Sequence, residues 1–319
     1  MYIAQAFKGL HEWWRYIIGI LVIFMAVLIG QIPFTIAVFI KAMANGDSVL
    51  GMNETDLMTL LEPNLNLFLM LLSFAAGLVG IFLVAKYVHK QSIVSLTTAR
   101  DKIDWKRFWF AFILWGIVST SFVFLDYYMT PENYVLNFKL MPFIILCVIA
   151  IALIPLQTSF EEYLFRGYLM QGMGVITKNK WIPLITTSVV FGLLHISNPE
   201  VKQLGYIVMV YYIGTGLFLG ITALMDEGIE LALGFHAANN LFTALLVTAD
   251  WTALQTHSVF KDTSLPEAAG FMDVFMPVFV IFPIILYVFS KKYKWNNWQN
   301  KLLGPVNEPL NKTTNIINH

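Results

Sequence analysis

The sequence predicts an all-α membrane protein, a polytopic bundle of about eight transmembrane helices with a polar cavity inside it. Of its 319 residues, 58% are hydrophobic and only 13% are charged, whereas soluble domains are roughly 45–50% apolar and about 25% charged. Eight stretches fit the ~20 mostly apolar residues that cross a bilayer. They run near 17–40, 65–85, 108–129, 141–176, 182–197, 204–225, 230–249 and 271–290.

The first stretch is predicted to stay in the protein as a membrane helix. Its apolar run is longer than about 20 residues and no small-residue cleavage site follows it, which argues against a signal peptide. Residues 13–15, Trp-Trp-Arg, are typical of an interfacial anchor. We expect one transmembrane domain at 1–290, with a core at about 155–245, and a flexible cytoplasmic tail at 291–319.

Lys and Arg are distributed unequally between the two predicted sides of the membrane. The N-terminus, the 86–107 loop, the 178–180 turn and the tail hold 15 of the 20, and the opposite loops hold four. The positive-inside rule therefore places both termini in the cytoplasm, as an even helix number also requires. We expect a multi-pass protein of the cell membrane, in which residues 91–107 lie on anionic headgroups.

Other functions are disfavoured by the composition. Acidic and basic residues number 20 each, so no excess of positive charge indicates nucleic-acid binding. The single cysteine, Cys147, excludes disulfides and cysteine-based metal sites within the chain. The partners that remain are the lipid bilayer and a substrate or ligand within it, and the composition does not predict an oligomeric state.

Three ionisable residues lie inside the fourth stretch. Glu161, Glu162 and Arg166 are flanked by apolar runs, and each would cost about 2.5–3.5 kcal/mol at the bilayer centre. We therefore expect them to face protein or trapped water. Glu162 and Arg166 have the spacing and order of a favourable helical ion pair. Glu161 points about 100° away around the helix axis, so it is the carboxylate that we expect to react.

Only two of the six histidines fall within apolar stretches, where a histidine is a functional candidate. His195 ends the run Val-Phe-Gly-Leu-Leu-His, and His236 begins His-Ala-Ala-Asn-Asn. Asn240 lies four residues after His236 and therefore on the same helix face.

The depth of these residues can be counted from the turns at 1.5 Å per residue. Glu161 and His195 lie about 25 and about 21 Å from the 178–181 turn, so they can meet. His236 lies only about 10 Å from the 226–228 connection. To reach the other two, it requires a connection recessed below the surface, or staggered helices.

These residues resemble the motifs of the CPBP (Abi) membrane proteins, a family that includes type II CAAX prenyl endopeptidases and bacteriocin-processing or self-immunity proteins. The resemblance covers roughly residues 155–245, and the order and spacing of three motifs agree. The motif EExxxR matches Glu161, Glu162 and Arg166, FxxxH matches Phe191 and His195, and HxxxN matches His236 and Asn240.

The resemblance implies an intramembrane endopeptidase that acts, without a cofactor, on a membrane-associated, prenylated or leader peptide or on a lipidated protein. Glu161 and His195 would activate a water, and His236 with Asn240 would stabilise the oxyanion. Peptide hydrolysis needs a general base for water, and donors to the negative oxygen each contribute a few kcal/mol in a dry site. Glu162, Arg166 and Phe191 would support these four residues.

Three alternatives stay open. Glu161, His195 and His236 could form the His₂Glu set of a catalytic zinc site, although a compact HExxH motif is absent. Polar residues often only join helices in bundles, so a non-enzymatic immunity or peptide-binding protein is also consistent with the pattern. A transporter would relay protons through such groups, but its inverted repeats are not visible, because the polar cluster lies only in the second half.

Overall fold

The computed structural model of the chain describes residues 1–49, 52, 56, 59–264 and 271–309, and most of these residues are helical. In this described part, six helical segments are long and apolar enough to cross a membrane. They are Trp13–Asn45, Pro63–Val88, Trp105–Met129, Leu140–Thr177, Tyr206–Asp226 and Val274–Tyr293. The polytopic helical bundle is confirmed, whereas the count of eight membrane helices is not.

The helices and strands are numbered here along the chain. The helices are α1 (Trp13–Asn45), α2 (Pro63–Leu83), α3 (Ile93–Thr97), α4 (Trp105–Met129), α5 (Leu140–Glu162), α6 (Met170–Thr177), α7 (Trp181–Leu193), α8 (Pro199–Leu204), α9 (Met209–Asp226), α10 (Glu230–Leu246), α11 (Phe271–Met276), α12 (Phe282–Tyr293) and α13 (Trp298–Leu303). The strands are β1 (Tyr134–Leu136), β2 (Val247–Ala249) and β3 (Phe260–Asp262). Segments of π-helix continue α2, α5 and α11 over Val84–Val88, Tyr163–Leu169 and Pro277–Ile281.

Two of the eight predicted spans form shorter helices than expected. The stretch at 182–197 is helical only as the 13-residue α7, and the stretch at 230–249 only as the 17-residue α10. A turn at residues 194–197 follows α7 directly, and Pro199 then begins α8. The β-branched pair Val247 and Thr248 ends α10 by starting β2. At 1.5 Å per residue, both helices are shorter than the ~30 Å hydrocarbon core of a bilayer.

Helix α10 lies in the middle of the bundle. It packs between α4 and α5, while α1 packs on α2, α2 on α5, and α7 on α9. Every residue of 228–238 is buried, as expected of a helix that neighbouring helices surround. Gly234 permits this packing, because a Cβ there would overlap the Phe108 carbonyl oxygen of α4.

A three-stranded sheet lies at the end of the bundle where α10 finishes. The strand order is β1-β3-β2, with β1 antiparallel and β2 parallel to β3. Lys261 is the register partner of both Val135 and Thr248. The sheet therefore connects the α4–α5 loop to the segment that follows α10.

At the other end of the bundle, the connection between α9 and α10 is recessed. The Ala99 N–H donates to the Glu227 carbonyl at 2.9 Å, and the Ile229 N–H donates to the Thr97 carbonyl at 2.9 Å. Residues 97–99 thus cover the connection, as the depth of His236 requires. Our expectation that residues 91–107 lie on headgroups is wrong for Leu96 to Thr98, which are buried against the bundle.

The segment after α12 also folds onto this end. The Trp295 indole N–H donates to Asp226 Oδ1 at 3.0 Å, and Val306 is buried with its N–H bonded to the Lys178 carbonyl at 3.0 Å. The domain boundary at residue 290 and the flexible tail from residue 291 both stay predictions, and these contacts show where residues 295–306 pack on the bundle. Residues 310–319 lie outside the described part of the chain.

Two arginines neutralise the buried acids of the α9–α10 connection. Arg100 Nη2 lies 3.0 Å from Asp226 Oδ2, and Arg100 Nη1 lies 3.2 Å from Glu230 Oε2. Arg107 forms a second ion pair with Asp226. Both carboxylates are almost completely buried. Arg100, which directly follows residues 97–99, and Arg107 of α4 supply the positive charges that make this burial tolerable.

We expect Arg100→Ala to lower the free energy of unfolding by about 3 kcal/mol, because it leaves the buried Glu230 without its arginine partner while Asp226 keeps Arg107. Thermal unfolding in detergent measures the change. The matched control is Lys102→Ala, since Lys102 is exposed on the same loop. Equal melting temperatures for the two variants would contradict this account of the connection.

Candidate active site

The four residues predicted to react line one cavity of about 90 Å³. Glu161 comes from α5, His236 and Asn240 come from α10, and His195 lies in the turn directly after α7. A cavity of this size is large enough to hold water. The cavity is lined by Gln157, Glu161, Phe191, His195, Tyr211, Tyr212, Thr215, Phe235, His236, Asn239 and Asn240.

The His236 ring lies between the two glutamates of α5. His236 Nδ1 is 2.8 Å from Glu162 Oε1, and His236 Nε2 is 3.5 Å from Glu161 Oε2. Glu162 is completely buried, whereas the Glu161 side chain is 13% exposed and lines the cavity. The two neighbouring carboxylates therefore differ in environment, and only Glu161 is accessible to a small molecule in the cavity.

Arg166 is the completely buried cation of the site. Its Nη1 donates to Glu162 Oε1 at 2.8 Å, and its Nη2 donates to the Gly216 carbonyl at 3.1 Å. The guanidinium carbon lies 4.4 Å from the centre of the Phe191 ring, within the range of a cation–π contact. The expected Glu162–Arg166 pair therefore forms, and it also connects α5 to α7 and α9.

The backbone around Arg166 is π-helical. The π segment Tyr163–Leu169 begins directly after Glu162 and continues α5 into α6. Single π turns inside α-helices are rare and frequently occur at functional sites. Here the segment lets one continuous helix carry Glu161 toward the cavity and Arg166 toward α7 and α9.

His195 is held by the helix that precedes it. Its Nδ1 lies 2.8 Å from the Phe191 carbonyl oxygen, and since a carbonyl can only accept, Nδ1 carries the proton. The ring stacks on Tyr212 with 4.5 Å between centroids. In the neutral ring, Nε2 is then an acceptor, which is the form that can orient a water.

Sequence reasoning missed Gln157. Its Nε2 donates to Glu161 Oε1, and its Oε1 accepts from Asn240 Nδ2 at 3.0 Å. The signal was available, because Gln157 precedes Glu161 by four residues and helix faces repeat at that spacing. Thr215, which also lines the cavity, comes from α9, and nothing in the sequence indicates its position.

The residues of the alternative zinc set, Glu161, His195 and His236, all line the cavity. Among the residues that the structure describes, no group of three His, Cys, Asp or Glu side chains is arranged to hold a metal ion. Whether the site uses a metal stays a prediction, and chelation tests it below.

Residues 136–242 match the protein family described as Type II CAAX prenyl endopeptidase Rce1-like. This range contains every residue of the three sequence motifs. The chain is also 30% identical over 245 residues to a Bacillus subtilis (strain 168) protein described as uncharacterized protein YyaK, covering 76% of this chain and 80% of that protein. No solved structure matches the chain.

We expect Arg166→Met to lower the free energy of unfolding by about 3–5 kcal/mol, since it leaves Glu162 buried without its guanidinium partner. Adding Glu162→Gln should restore part of the loss, because an amide carries no charge. Thermal unfolding of the single and double variants in detergent measures both effects.

The control for this pair is Arg15→Met, whose carboxylate partner Glu12 is half exposed and which should therefore lose much less stability. A double variant less stable than Arg166→Met alone would show that charge compensation is not what makes Arg166 necessary.

Proposed function

This chain belongs to the Rce1-like family of type II CAAX prenyl endopeptidases and is an integral membrane protease, and we propose that Glu161 is the general base of its reaction. The observation that carries the proposal is the arrangement of Glu161, His195, His236 and Asn240 around one small cavity within the bundle. A carboxylate, two imidazoles and an amide can supply the general base and the oxyanion donors of metal-free peptide hydrolysis.

In the proposed first step, a water in the cavity lies between Glu161 and His195. His195 Nε2 accepts one hydrogen bond from the water and so orients it. Glu161 removes the other proton as the water oxygen attacks the carbonyl carbon of the scissile bond. Glu161 suits this role because it is the accessible carboxylate of the pair, whereas Glu162 is held by Arg166 and His236.

The negative oxygen of the tetrahedral intermediate needs donors. Asn240 supplies an amide N–H, and in the imidazolium form His236 donates from Nδ1 to Glu162 and from Nε2 to the oxyanion. Such donors are preorganised here, since His236 is fixed by Glu162 and Asn240 is fixed by Gln157. Breakdown then transfers the proton from Glu161 to the leaving nitrogen as the carbon–nitrogen bond breaks.

The proposed substrate is a membrane-associated peptide, either prenylated or carrying a leader. A site enclosed by membrane helices favours a substrate held at the bilayer by an apolar group. The proposed topology has both termini in the cytoplasm of a cell-membrane protein. It is supported by the Lys and Arg distribution and by the folding of the N-terminus, residues 97–100 and residues 295–306 onto the same end of the bundle.

We expect Glu161→Gln to reduce cleavage of an internally quenched peptide ending in farnesyl-Cys-a-a-X by about 10³-fold or more, because it removes the base and leaves the shape. The same peptide without the farnesyl group tests the need for a lipid. The purified wild type and variant are assayed in detergent after equal folding has been verified.

Glu132→Gln is the matched control, since Glu132 is exposed in the α4–α5 loop, and it should retain wild-type rates. A Glu161→Gln variant that cleaves normally would contradict the general-base assignment. A wild type that binds these peptides without cleaving them, and a Gln variant that binds equally well, would instead identify a peptide-binding protein.

We expect exhaustive EDTA treatment to leave the wild-type cleavage rate unchanged, because the proposed mechanism uses only protein groups. The measurement compares the chelated enzyme with enzyme to which zinc has been returned. Loss of activity that zinc restores would replace this mechanism with the zinc alternative, in which Glu161, His195 and His236 would be the ligands.

A further inference from the structure

Four hydrogen bonds connect α4 to the Glu161 carboxylate. Trp115 Nε1 donates to Asn239 Oδ1 at 3.0 Å, and Asn239 Nδ2 donates to Asn240 Oδ1 at 3.1 Å. Asn240 Nδ2 donates to Gln157 Oε1 at 3.0 Å, and Gln157 Nε2 donates to Glu161 Oε1. The chain of bonds crosses three helices, because Trp115 lies on α4, the two asparagines on α10, and Gln157 and Glu161 on α5.

The direction of every bond follows from the first donor. An indole N–H can only donate, so it requires Asn239 to present its oxygen. The Asn239 NH₂ must then face Asn240, whose own NH₂ must face Gln157. Gln157 is left to present its NH₂ to Glu161, and an ionised carboxylate can only accept. The Trp115 donor and the Glu161 acceptor therefore require the same orientation of the three amide side chains between them.

We propose that Trp115, Asn239 and Gln157 are positioning residues that orient Glu161 and Asn240 for the hydrolysis proposed above. They fix one oxygen of Glu161 and leave its other oxygen toward His236, 3.5 Å away. They also fix the Asn240 amide so that one of its two hydrogens is bound to Gln157 and the second is free for an oxyanion. The inference rests on the proposed function for the roles of Glu161 and Asn240.

The bonds are suited to this role because they are sheltered. Trp115 is 7% exposed and Gln157 is 8% exposed, and hydrogen bonds are stronger where water does not compete. The Trp115 ring also packs on Phe235 with 4.4 Å between centroids. Trp115→Phe keeps an aromatic ring beside Phe235 and removes the N–H together with part of the indole, and the melting temperature measures any stability lost with the smaller ring.

The test combines Trp115→Phe, Gln157→Met and their double variant, assayed for kcat and KM on the farnesylated quenched peptide and for melting temperature in detergent. A hydrogen bond to a charged group contributes enough for a loss of about 10- to 100-fold. We expect kcat to fall about tenfold for Trp115→Phe and about 100-fold for Gln157→Met, with KM within about twofold of wild type.

The kcat of the double variant should be within about twofold of that of Gln157→Met, because Gln157→Met alone already breaks the connected hydrogen bonds. Residues without a shared network give additive effects. Trp109→Phe is the control, since Trp109 is exposed on the same helix. Its kcat should equal that of the wild type, and its effect should be additive with Gln157→Met.

Asn239→Asp is a second variant that keeps the size of the side chain. The carboxylate still accepts from Trp115 but cannot donate to Asn240, so we expect kcat to fall about as far as for Gln157→Met. If these residues only stabilise the fold, the change should lower the amount of folded protein without lowering kcat.

Two results overturn the proposal: an unchanged kcat in Gln157→Met and Asn239→Asp, or additive effects of Trp115→Phe and Gln157→Met. The melting temperatures keep the test independent of the substrate. If the wild type cleaves neither peptide, the proposed function fails, yet the connected bonds still predict a double-variant loss at least about 2 °C smaller than the sum of the single losses. Additive melting temperatures would then overturn the proposal.

Discussion

The compensation of one buried cation organises the core of this protein. Arg166 is excluded from water, and an unpaired charge in such a position is very costly. Glu162 supplies the counter-charge, the Gly216 carbonyl accepts a hydrogen bond from a second N–H of Arg166, and the Phe191 ring covers the guanidinium. Because these partners belong to α5, α9 and α7, the ion pair, hydrogen bond and ring contact of Arg166 fix three helices relative to one another.

The proposed reactive groups are attached to that arrangement at two points. Glu162 uses the same oxygen to accept from Arg166 and from His236, which orients the imidazole of α10. The Phe191 carbonyl binds His195, while the ring of the same residue contacts Arg166. The residues that the sequence suggested as supporting ones therefore connect the buried cation to both histidines, and Glu161 lines the same cavity as the histidines.

The fold class and the grouping of the proposed reactive residues were predictable. The length of the apolar stretches and the i,i+4 spacing of the motif residues are local properties of a sequence. Turn-counting also placed Glu161 and His195 at a common depth. The position of His236 was not predictable in this way, since it depends on residues 97–99, which lie far away in the sequence and cover the α9–α10 connection. The role of Trp115 was also not predictable from the sequence, because its hydrogen bond to Asn239 depends on the packing of α4 on α10.

Helix α10 differs from the lipid-facing helices in a way that affects the protein's response to its membrane. Its 17 residues are too few to span a typical bilayer alone, and of these only Thr243 is exposed. Hydrophobic mismatch acts on helices that contact lipid, which tilt when the bilayer becomes thinner. The outer helices can absorb such changes by tilting, whereas α10 contacts mainly protein, so we expect the geometry around His236 to depend less on membrane thickness than the tilt of the outer helices does.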